Sequence, residues 1–254
     1  MSYFTALNGL FWLLVSLALF VFLQHLLHHE IQAFFLILTN RPGVTQVIFA
    51  LIFFPGVLLH ELSHFLIAKL LGVRTGKFSL IPQAQNNGKL RLGYVETESG
   101  GFVRDALIGA APLMTGCLFV VYAALYQMHI LPLWDLMRST KWEALWVLLA
   151  SIPTSPDFWL WFYLTFTISS TMMPSESDRH AWLPLGFLVV GMVAAAILAG
   201  AGTWMLANLA PQFNKFMQAL ALIFGLSSVL HLFLILPLLL LHRILTKVTG
   251  VDVN

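Results

Sequence analysis

The feature that most constrains this chain is the sequence His60-Glu61-Leu62-Ser63-His64, which lies inside a long apolar stretch. On an α-helix, residues four apart project from the same face, about 6 Å apart along the axis, so both imidazoles can bind one metal ion. Glu61 directly follows the first imidazole, where its carboxylate can reach a metal-bound water without being a ligand. Residues 44–71 are otherwise almost wholly apolar. We therefore predict a zinc site inside a membrane helix.

The composition places the rest of the chain in a membrane as well. Of its 254 residues, 59% are hydrophobic and 9% are charged, whereas soluble proteins carry about 25% charged residues. The net charge of +2 and the lack of a basic run argue against a nucleic-acid surface. Cys117 is the only cysteine, so the chain has no internal disulfide and no cysteine metal cluster.

Apolar windows of about 20 residues mark candidate membrane spans. We predict an all-α polytopic membrane protein with about six transmembrane helices and a small β-hairpin between the second and the third. The spans lie at about residues 7–27, 44–71, 106–128, 158–173, 182–206 and 216–241. No repeat or linker divides the chain. We therefore predict a single domain over residues 1–254.

The distribution of Lys and Arg predicts the orientation in the membrane. With six spans, nine of these residues fall on one side and four on the other. The nine are Lys69, Arg74, Lys77, Lys89, Arg91, Arg104, Arg179, Arg243 and Lys247, and the four are Arg41, Arg138, Lys141 and Lys215. We expect a multi-pass protein of the cell (inner) membrane, with both termini and the metal end of the second span toward the cytoplasm.

The segment between the second and third spans has β character. Residues 77–81 and 89–95 alternate loosely, and Asn86-Asn87-Gly88 is a hairpin-turn signal because positive φ comes easily to Asn and Gly. One interpretation is a surface hairpin without a role. The other is an edge strand that holds an extended substrate beside the metal through main-chain hydrogen bonds. On that strand, the candidate substrate-binding residues are Leu90, Leu92 and Tyr94.

A catalytic zinc site also needs a third protein ligand and an open position for water. Asp178 is our candidate, because it follows the fourth span on the same side as the motif, and Pro174 would end the helix and turn the chain inward. In the alternative, this segment is a solvated loop in which Asp178 pairs with Arg179 or caps the next helix. Two further candidates for the third ligand are Glu176 and His180.

Other polar residues lie in or near the spans. His231 has the pattern of a hydrogen-bonded packing residue, and His25, His28 and His29 that of residues at a membrane interface. Water must reach a metal site that is flanked by lipid-facing helices. We therefore predict a polar cavity that opens toward the cytoplasm, and its candidate lining residues are Ser63, Ser79 and Thr171.

Several segments resemble the site-2 protease family of intramembrane zinc metalloproteases. After the motif, the sequence Leu71-Gly72-Val73-Arg74-Thr75-Gly76-Lys77-Phe78-Ser79 resembles the family's Gly-Val-x-x-x-x-Phe-Ser strand. Leu92-Gly93-Tyr94-Val95 is similar to its Gly-Gly-Tyr-Val strand, and Gly109-Ala110-Ala111-Pro112-Leu113 to its Ala-Gly-Pro helix start. The resemblance covers about residues 44–180 and implies that this range is a three-helix catalytic core, flanked by the helices at about 7–27, 182–206 and 216–241.

The chain departs from the family at the aspartate motif, Asn-x-x-Pro-x-x-x-x-Asp-Gly. Thr171 stands where the family has Asn, Asp178 comes one residue closer to Pro174, and Arg179 replaces Gly. The altered motif leaves open whether Asp178 is a ligand. It also makes Thr171 the candidate for a substrate contact that the family's Asn would make.

The resemblance implies an intramembrane zinc endopeptidase that cleaves membrane-spanning protein or peptide substrates. One zinc ion would be held by His60, His64 and Asp178. It would lower the pKa of its bound water from about 16 toward 7, and Glu61 would accept the proton as general base.

Two other functions come from different classes of protein. The first is a metal-binding membrane protein without protease activity, either a transporter or an inactive relative that regulates membrane helices. The altered aspartate motif is compatible with it. The second is a membrane protease of the prenyl-protein-processing type, which takes its third ligand from a glutamate on a later helix. No glutamate follows Glu176 in this chain, which counts against the second alternative.

Overall fold

The computed structural model is a helical bundle with two small antiparallel sheets at one end. It describes residues 8–84, 90–128, 130, 132, 136 and 139–250. The helices are α1 (Asn8–Thr39), α2 (Pro42–Ile52), α3 (Phe54–Leu70), α4 (Phe102–Tyr122), α5 (Trp142–Ser151), α6 (Phe158–Thr171), α7 (Trp182–Ala196), α8 (Gly202–Asn208) and α9 (Ala210–Thr249). π-Helical turns extend α4 over Ala123–Gln127 and join α7 to α8 over Ile197–Ala201.

Two short two-stranded sheets lie in the connection between α3 and α4. In one, β1 (Thr75–Ser79) is antiparallel to β4 (Tyr94–Thr97), and in the other β2 (Gln83–Ala84) is antiparallel to β3 (Leu90–Arg91). The predicted antiparallel β segment between the second and third spans is therefore confirmed. The predicted turn at Asn86-Asn87-Gly88 and the side chain of Leu90 lie outside what the structure describes.

Four helical segments are long and apolar enough to cross a membrane. They are Asn8–Thr39, Phe102–Gln127, Trp182–Asn208 and Ala210–Thr249, and α2 with α3 makes a fifth if that bent pair counts as one span. The predicted membrane character is confirmed. The segment predicted as the fourth span forms α6, which has 14 residues. A helix of that length is roughly 21 Å long, shorter than the apolar core of about 30 Å.

The second predicted span is a broken helix rather than a continuous one. α2 ends at Ile52 and α3 begins at Phe54, with a bend of 67° between them. Pro55 explains the break, because it lacks an amide hydrogen and its ring collides with the carbonyl four residues earlier. The metal motif therefore lies on a separate helix of 17 residues, and α2 is free to leave the axis of α3.

The two longest helices, α1 and α9, pack side by side in the same direction. At one end of the pair, the Gly9 amide donates to Oδ1 of Asn214 at 2.6 Å. Toward the other end, Nδ1 of His242 donates to Oε2 of Glu30 at 2.5 Å. Chain number rises in the same direction along both helices, so they are parallel. Parallel helices cannot be the first and the last of six spans that alternate in direction.

The segment formed by α7 and α8 begins and ends at the same end of the bundle. Its first residue, Trp182, donates from Nε1 to the Ala106 carbonyl at 3.3 Å, near the start of α4. α9 follows α8 directly and starts beside the first turn of α1. The starts of α1, α4 and α9 lie at one level, because one hydrophobic cluster takes from each helix a residue 12 to 15 positions after its first residue, namely Phe20, Cys117 and Phe224. Although apolar enough to span, this segment therefore returns to its own side.

Candidate metal centre

His60 and His64 lie one turn apart on α3, and their rings face each other. The ring centroids are 4.9 Å apart, and the two Nε2 atoms are 3.2 Å apart. Asp178 approaches both rings from the connection between α6 and α7. Its Oδ1 lies 3.4 Å from Nε2 of His64, and its Oδ2 lies 3.7 Å from Nε2 of His60. The structure thus brings together the three residues that were expected to hold a metal.

Two backbone carbonyls fix the orientation of the rings. Nδ1 of His60 lies 2.7 Å from the Thr171 carbonyl oxygen, and Nδ1 of His64 lies 2.8 Å from that of Ile108. A carbonyl oxygen can only accept, so each Nδ1 carries a hydrogen and each Nε2 can direct its lone pair toward Asp178. Metal-binding histidines are usually oriented by such a contact on the other ring nitrogen.

The converging acceptor atoms need a positive charge among them, either a metal ion or a proton on one ring. The imidazole–carboxylate separations of 3.4 and 3.7 Å are longer than N–H···O hydrogen bonds, which measure about 2.7–3.2 Å. A tetrahedral zinc ion with bonds of about 2.0–2.1 Å requires ligand–ligand separations of roughly 3.3–3.4 Å. The three ligand atoms lie within 4.8 Å of one another. This geometry, with two imidazoles and a carboxylate, fits zinc.

Asp178 is held in place by its own loop and by α4. Its Oδ2 accepts a hydrogen bond from the Ser175 amide at 2.7 Å. Its backbone oxygen lies so close to Gly109 on α4 that a Cβ at Gly109 would overlap it. Burial alone would raise the pKa of Asp178, but the neighbouring imidazoles of His60 and His64 hold that pKa well below its usual range. The carboxylate is therefore positioned and ionised.

The two other candidate ligands lie apart from the cluster. Nδ1 of His180 donates to the Ser177 carbonyl at 2.6 Å, and its Nε2 lies 4.0 Å from Oδ2 of Asp105. Glu176 lines the same cavity but does not belong to the group of converging ligand atoms. The geometry therefore favours Asp178 over both.

Glu61 lies beside the three ligand candidates without joining them. Its side chain is buried, with 7% of the residue exposed, and it packs against Gly93, which precedes β4. A Cβ at Gly93 would lie 2.9 Å from Cγ and 3.1 Å from Oε1 of Glu61. The absence of a side chain at Gly93 thus leaves room for the carboxylate between the strand and α3.

The cluster lines a cavity of 1510 Å³. Leu92 and Thr171 line it, as expected of substrate-binding residues, whereas Tyr94 is paired with Ser79 in the sheet and does not belong to the lining. Ser63 and Ser79 are also outside the lining, contrary to expectation. Ser63 instead donates from Oγ to the His60 carbonyl at 2.7 Å.

The cavity extends along α1, where the sequence predicts histidines at a membrane interface. Its lining there consists of Gln24, His25, His28 and Gln32 from α1 and of Thr45, Phe49 and Gln46 from α2. The signal that could have revealed this wall is the four-residue spacing of Gln24, His28 and Gln32. The expectation for His231 is met, because this fully buried ring bonds to Oγ of Ser170 at 2.8 Å and to the Ser227 carbonyl at 2.7 Å.

Comparisons with protein-family models, curated proteins and solved structures found no match to this chain. Support for a function therefore comes from the motifs and from the geometry of the site.

Proposed function

We propose that this chain is an intramembrane zinc metalloprotease of the site-2 protease type, which hydrolyses peptide bonds of membrane-spanning substrates. The observation that carries the proposal is the convergence of His60, His64 and Asp178 with a separate buried carboxylate, Glu61, at the wall of one cavity. A site that only binds a metal has no need of a carboxylate beside the ligands. A hydrolase needs it to move a proton.

Each residue of the site has a separate role in the proposed reaction. When bound, zinc supplies a Lewis acid and lowers the pKa of a water molecule toward about 7. Glu61 accepts a proton as that water attacks the substrate carbonyl and a carbon–oxygen bond forms. Glu61 then passes the proton to the amide nitrogen, so the carbon–nitrogen bond breaks and the amine leaves neutral. His60, His64 and Asp178 keep the reacting groups at fixed positions.

The substrate has to be extended where it is cut, because in an α-helix its peptide groups are closed in hydrogen bonds with one another. The position of β4 favours binding of an extended substrate. It pairs with β1 alone within the described part of the chain, and Gly93, Val95 and Glu96 line the cavity. A strand at the wall of a cavity can bind an extended peptide through main-chain hydrogen bonds.

The proposal is tested with purified full-length protein and a single-span peptide substrate. Glu61→Gln keeps the shape of the side chain but cannot accept a proton, so it should retain zinc and lose about 10²- to 10⁴-fold in cleavage rate. His60→Ala should lose both zinc and cleavage. Glu98→Gln is the matched control, because Glu98 is an exposed carboxylate on the same cavity. Wild-type cleavage by Glu61→Gln would refute the general-base role.

The alternative function is a metal-binding membrane protein that does not cleave peptides. The departures from the family at Thr171 and Arg179 favour it, since they alter the segment that presents Asp178. Zinc bound at a one-to-one ratio, without chelator-sensitive cleavage of any single-span peptide, would support this alternative over the protease.

A further inference from the structure

One wall of the cavity carries polar residues that the proposed chemistry does not use. Gln24, His28 and Gln32 follow one another at four-residue intervals on α1, so they project from one face of the helix. All three line the cavity that contains the metal cluster. Since α1 is apolar enough to cross a membrane, where polar side chains are costly, this stripe requires an explanation in terms of binding.

The middle residue of the stripe has an unsatisfied polar atom. Nε2 of His28 is buried and has no hydrogen-bond partner within the described part of the chain. The ring is fixed edge-on against Phe49 and Phe53, with centroid distances of 5.3 and 4.8 Å. Leaving a buried ring nitrogen unpaired costs free energy. A bound group that hydrogen-bonds to this imidazole would remove the cost.

The stripe begins at the level of the metal ligands. Nε2 of Gln24 donates to the Ser170 carbonyl at 2.5 Å, and the next carbonyl along α6, that of Thr171, accepts from His60. These are two of the last carbonyls of α6, which have no partner inside the helix. From Gln24 the stripe runs away from the cluster along α1, in steps of about 6 Å.

The spacing of the stripe matches an extended peptide. In an extended chain, groups that face the same way recur every second residue, roughly 6.4–6.8 Å apart. Two amides and an imidazole offer both donors and acceptors without a fixed charge, as peptide groups do. A helical substrate has no free peptide groups to offer such a stripe. The occupant that fits is therefore the main chain of an unwound segment.

We propose that Gln24, His28 and Gln32 form a hydrogen-bonding ladder that holds the substrate main chain extended on the α1 side of the cavity. This inference rests on the proposed protease function. The ladder positions the substrate and takes no part in breaking the bond, so its loss weakens binding and leaves the metal site intact.

Equilibrium binding tests the ladder without requiring cleavage. The protein is the zinc-loaded full-length chain carrying Glu61→Gln, and the probe is a fluorescein-labelled Leu/Ala peptide of about 24 residues, long enough to span a bilayer. Adding His28→Leu should weaken binding about 3- to 10-fold, the loss expected for one hydrogen bond. Adding His28→Gln, which keeps hydrogen-bonding groups, should restore most of the affinity.

Two controls separate the ladder from a general effect on the protein. His29→Leu changes the neighbouring histidine, which is outside the cavity lining, and should not affect binding. Peptides shortened progressively from one end should lose their sensitivity to His28→Leu once they no longer reach the stripe. Unchanged zinc content shows that each variant is folded, and Gln32→Leu replaces His28→Leu if the latter does not retain zinc.

The outcomes distinguish failure of the ladder from failure of the protease. Equal binding by His28→Leu and His29→Leu would overturn the ladder. If His28→Leu weakened the binding of long and short peptides equally, the ladder would also be overturned, because that pattern is typical of a water path or a packing residue. Failure of the protease would appear separately, as zinc-loaded wild-type protein that binds the peptide and does not cleave it.

Discussion

At the level of single residues, the site depends on two backbone carbonyls as much as on its own side chains. Thr171 and Ile108 accept from the Nδ1 atoms of His60 and His64, and this fixes which nitrogen faces Asp178. The carbonyl of Thr171 does this whatever side chain stands at that position. Thr171, at the position where the site-2 protease motif has Asn, is therefore compatible with the convergence of His60, His64 and Asp178.

The first prediction concerns the third ligand. Asp178→Ala removes one of three converging groups and should lower zinc affinity by more than the roughly 10- to 100-fold that is typical when an outer partner of a ligand is lost. Zinc content is measured after dialysis against a graded series of chelators. Glu176→Ala is the matched control, because Glu176 lines the same cavity two residues away and should keep its zinc. Loss of zinc from Glu176→Ala and not from Asp178→Ala would assign the ligand role to Glu176.

The sequence predicts the two imidazoles more securely than it predicts the carboxylate. The spacing of His60 and His64 determines their common face because a helix has a fixed period. Asp178 lies in a loop, whose path depends on contacts that no local pattern encodes. One such contact is that of its backbone oxygen with Gly109, which is 69 residues earlier in the chain. Glu176 and His180 could only be set aside once this path was known.

At the level of elements, the metal site depends on how closely the loop after α6 approaches α4. Gly109 allows that approach, and Gly116 allows α4 to meet Met172 in the same way. These two positions are seven residues apart and so lie on one face of α4. The contact of α4 with the loop therefore sets the distance of Asp178 from the imidazoles of α3.

The second prediction follows from this contact. Gly109→Ala adds a Cβ where the backbone oxygen of Asp178 lies, so the loop must move away from α4 and the carboxylate must move away from His64. We expect weaker zinc retention and a lower melting temperature. Gly225→Ala is the control, because nothing lies within 4 Å of the position of its Cβ, and it should be neutral or slightly stabilising. Equal zinc retention in both variants would contradict this account of the loop.

Apolar windows predict where helices form but not how they continue or what they face. Residues 158–173 have the composition of a span, yet α6 has 14 residues. The break in the second predicted span has a local cause, Pro55. The apolar stretch around it nevertheless predicted one continuous helix. The polar stripe of α1 has helical spacing that is visible in the sequence, but only packing shows that a cavity rather than lipid lies in front of it.

At the level of the whole molecule, the parallel packing of α1 and α9 changes the expected sidedness. α7 and α8 return to the end of the bundle where they begin, which is the end where α1, α4 and α9 start. Lys215 therefore lies at that end, and Arg243 and Lys247 lie at the opposite end. Within the described residues, the end where these three helices start still carries the larger number of Lys and Arg residues. The positive-inside rule therefore continues to predict that this end, which Glu98 and Asp105 of the cavity lining approach, faces the cytoplasm, now with the C-terminal end of α9 on the other side of the membrane.

The third prediction distinguishes this arrangement from six alternating spans. Single cysteines are placed at Lys215 and Glu98, both exposed, in a Cys117→Ala background and labelled in intact cells with a maleimide that cannot cross membranes. The packing of α1 with α9 requires both positions to be on one side, so both should label only after the cells are opened. Six alternating spans would place Lys215 opposite Glu98, and Lys215→Cys would then label in intact cells. A second pair, Lys141→Cys and Lys247→Cys, should label together from outside, because the start of α5 and the end of α9 lie at the end of the bundle opposite the starts of α1, α4 and α9.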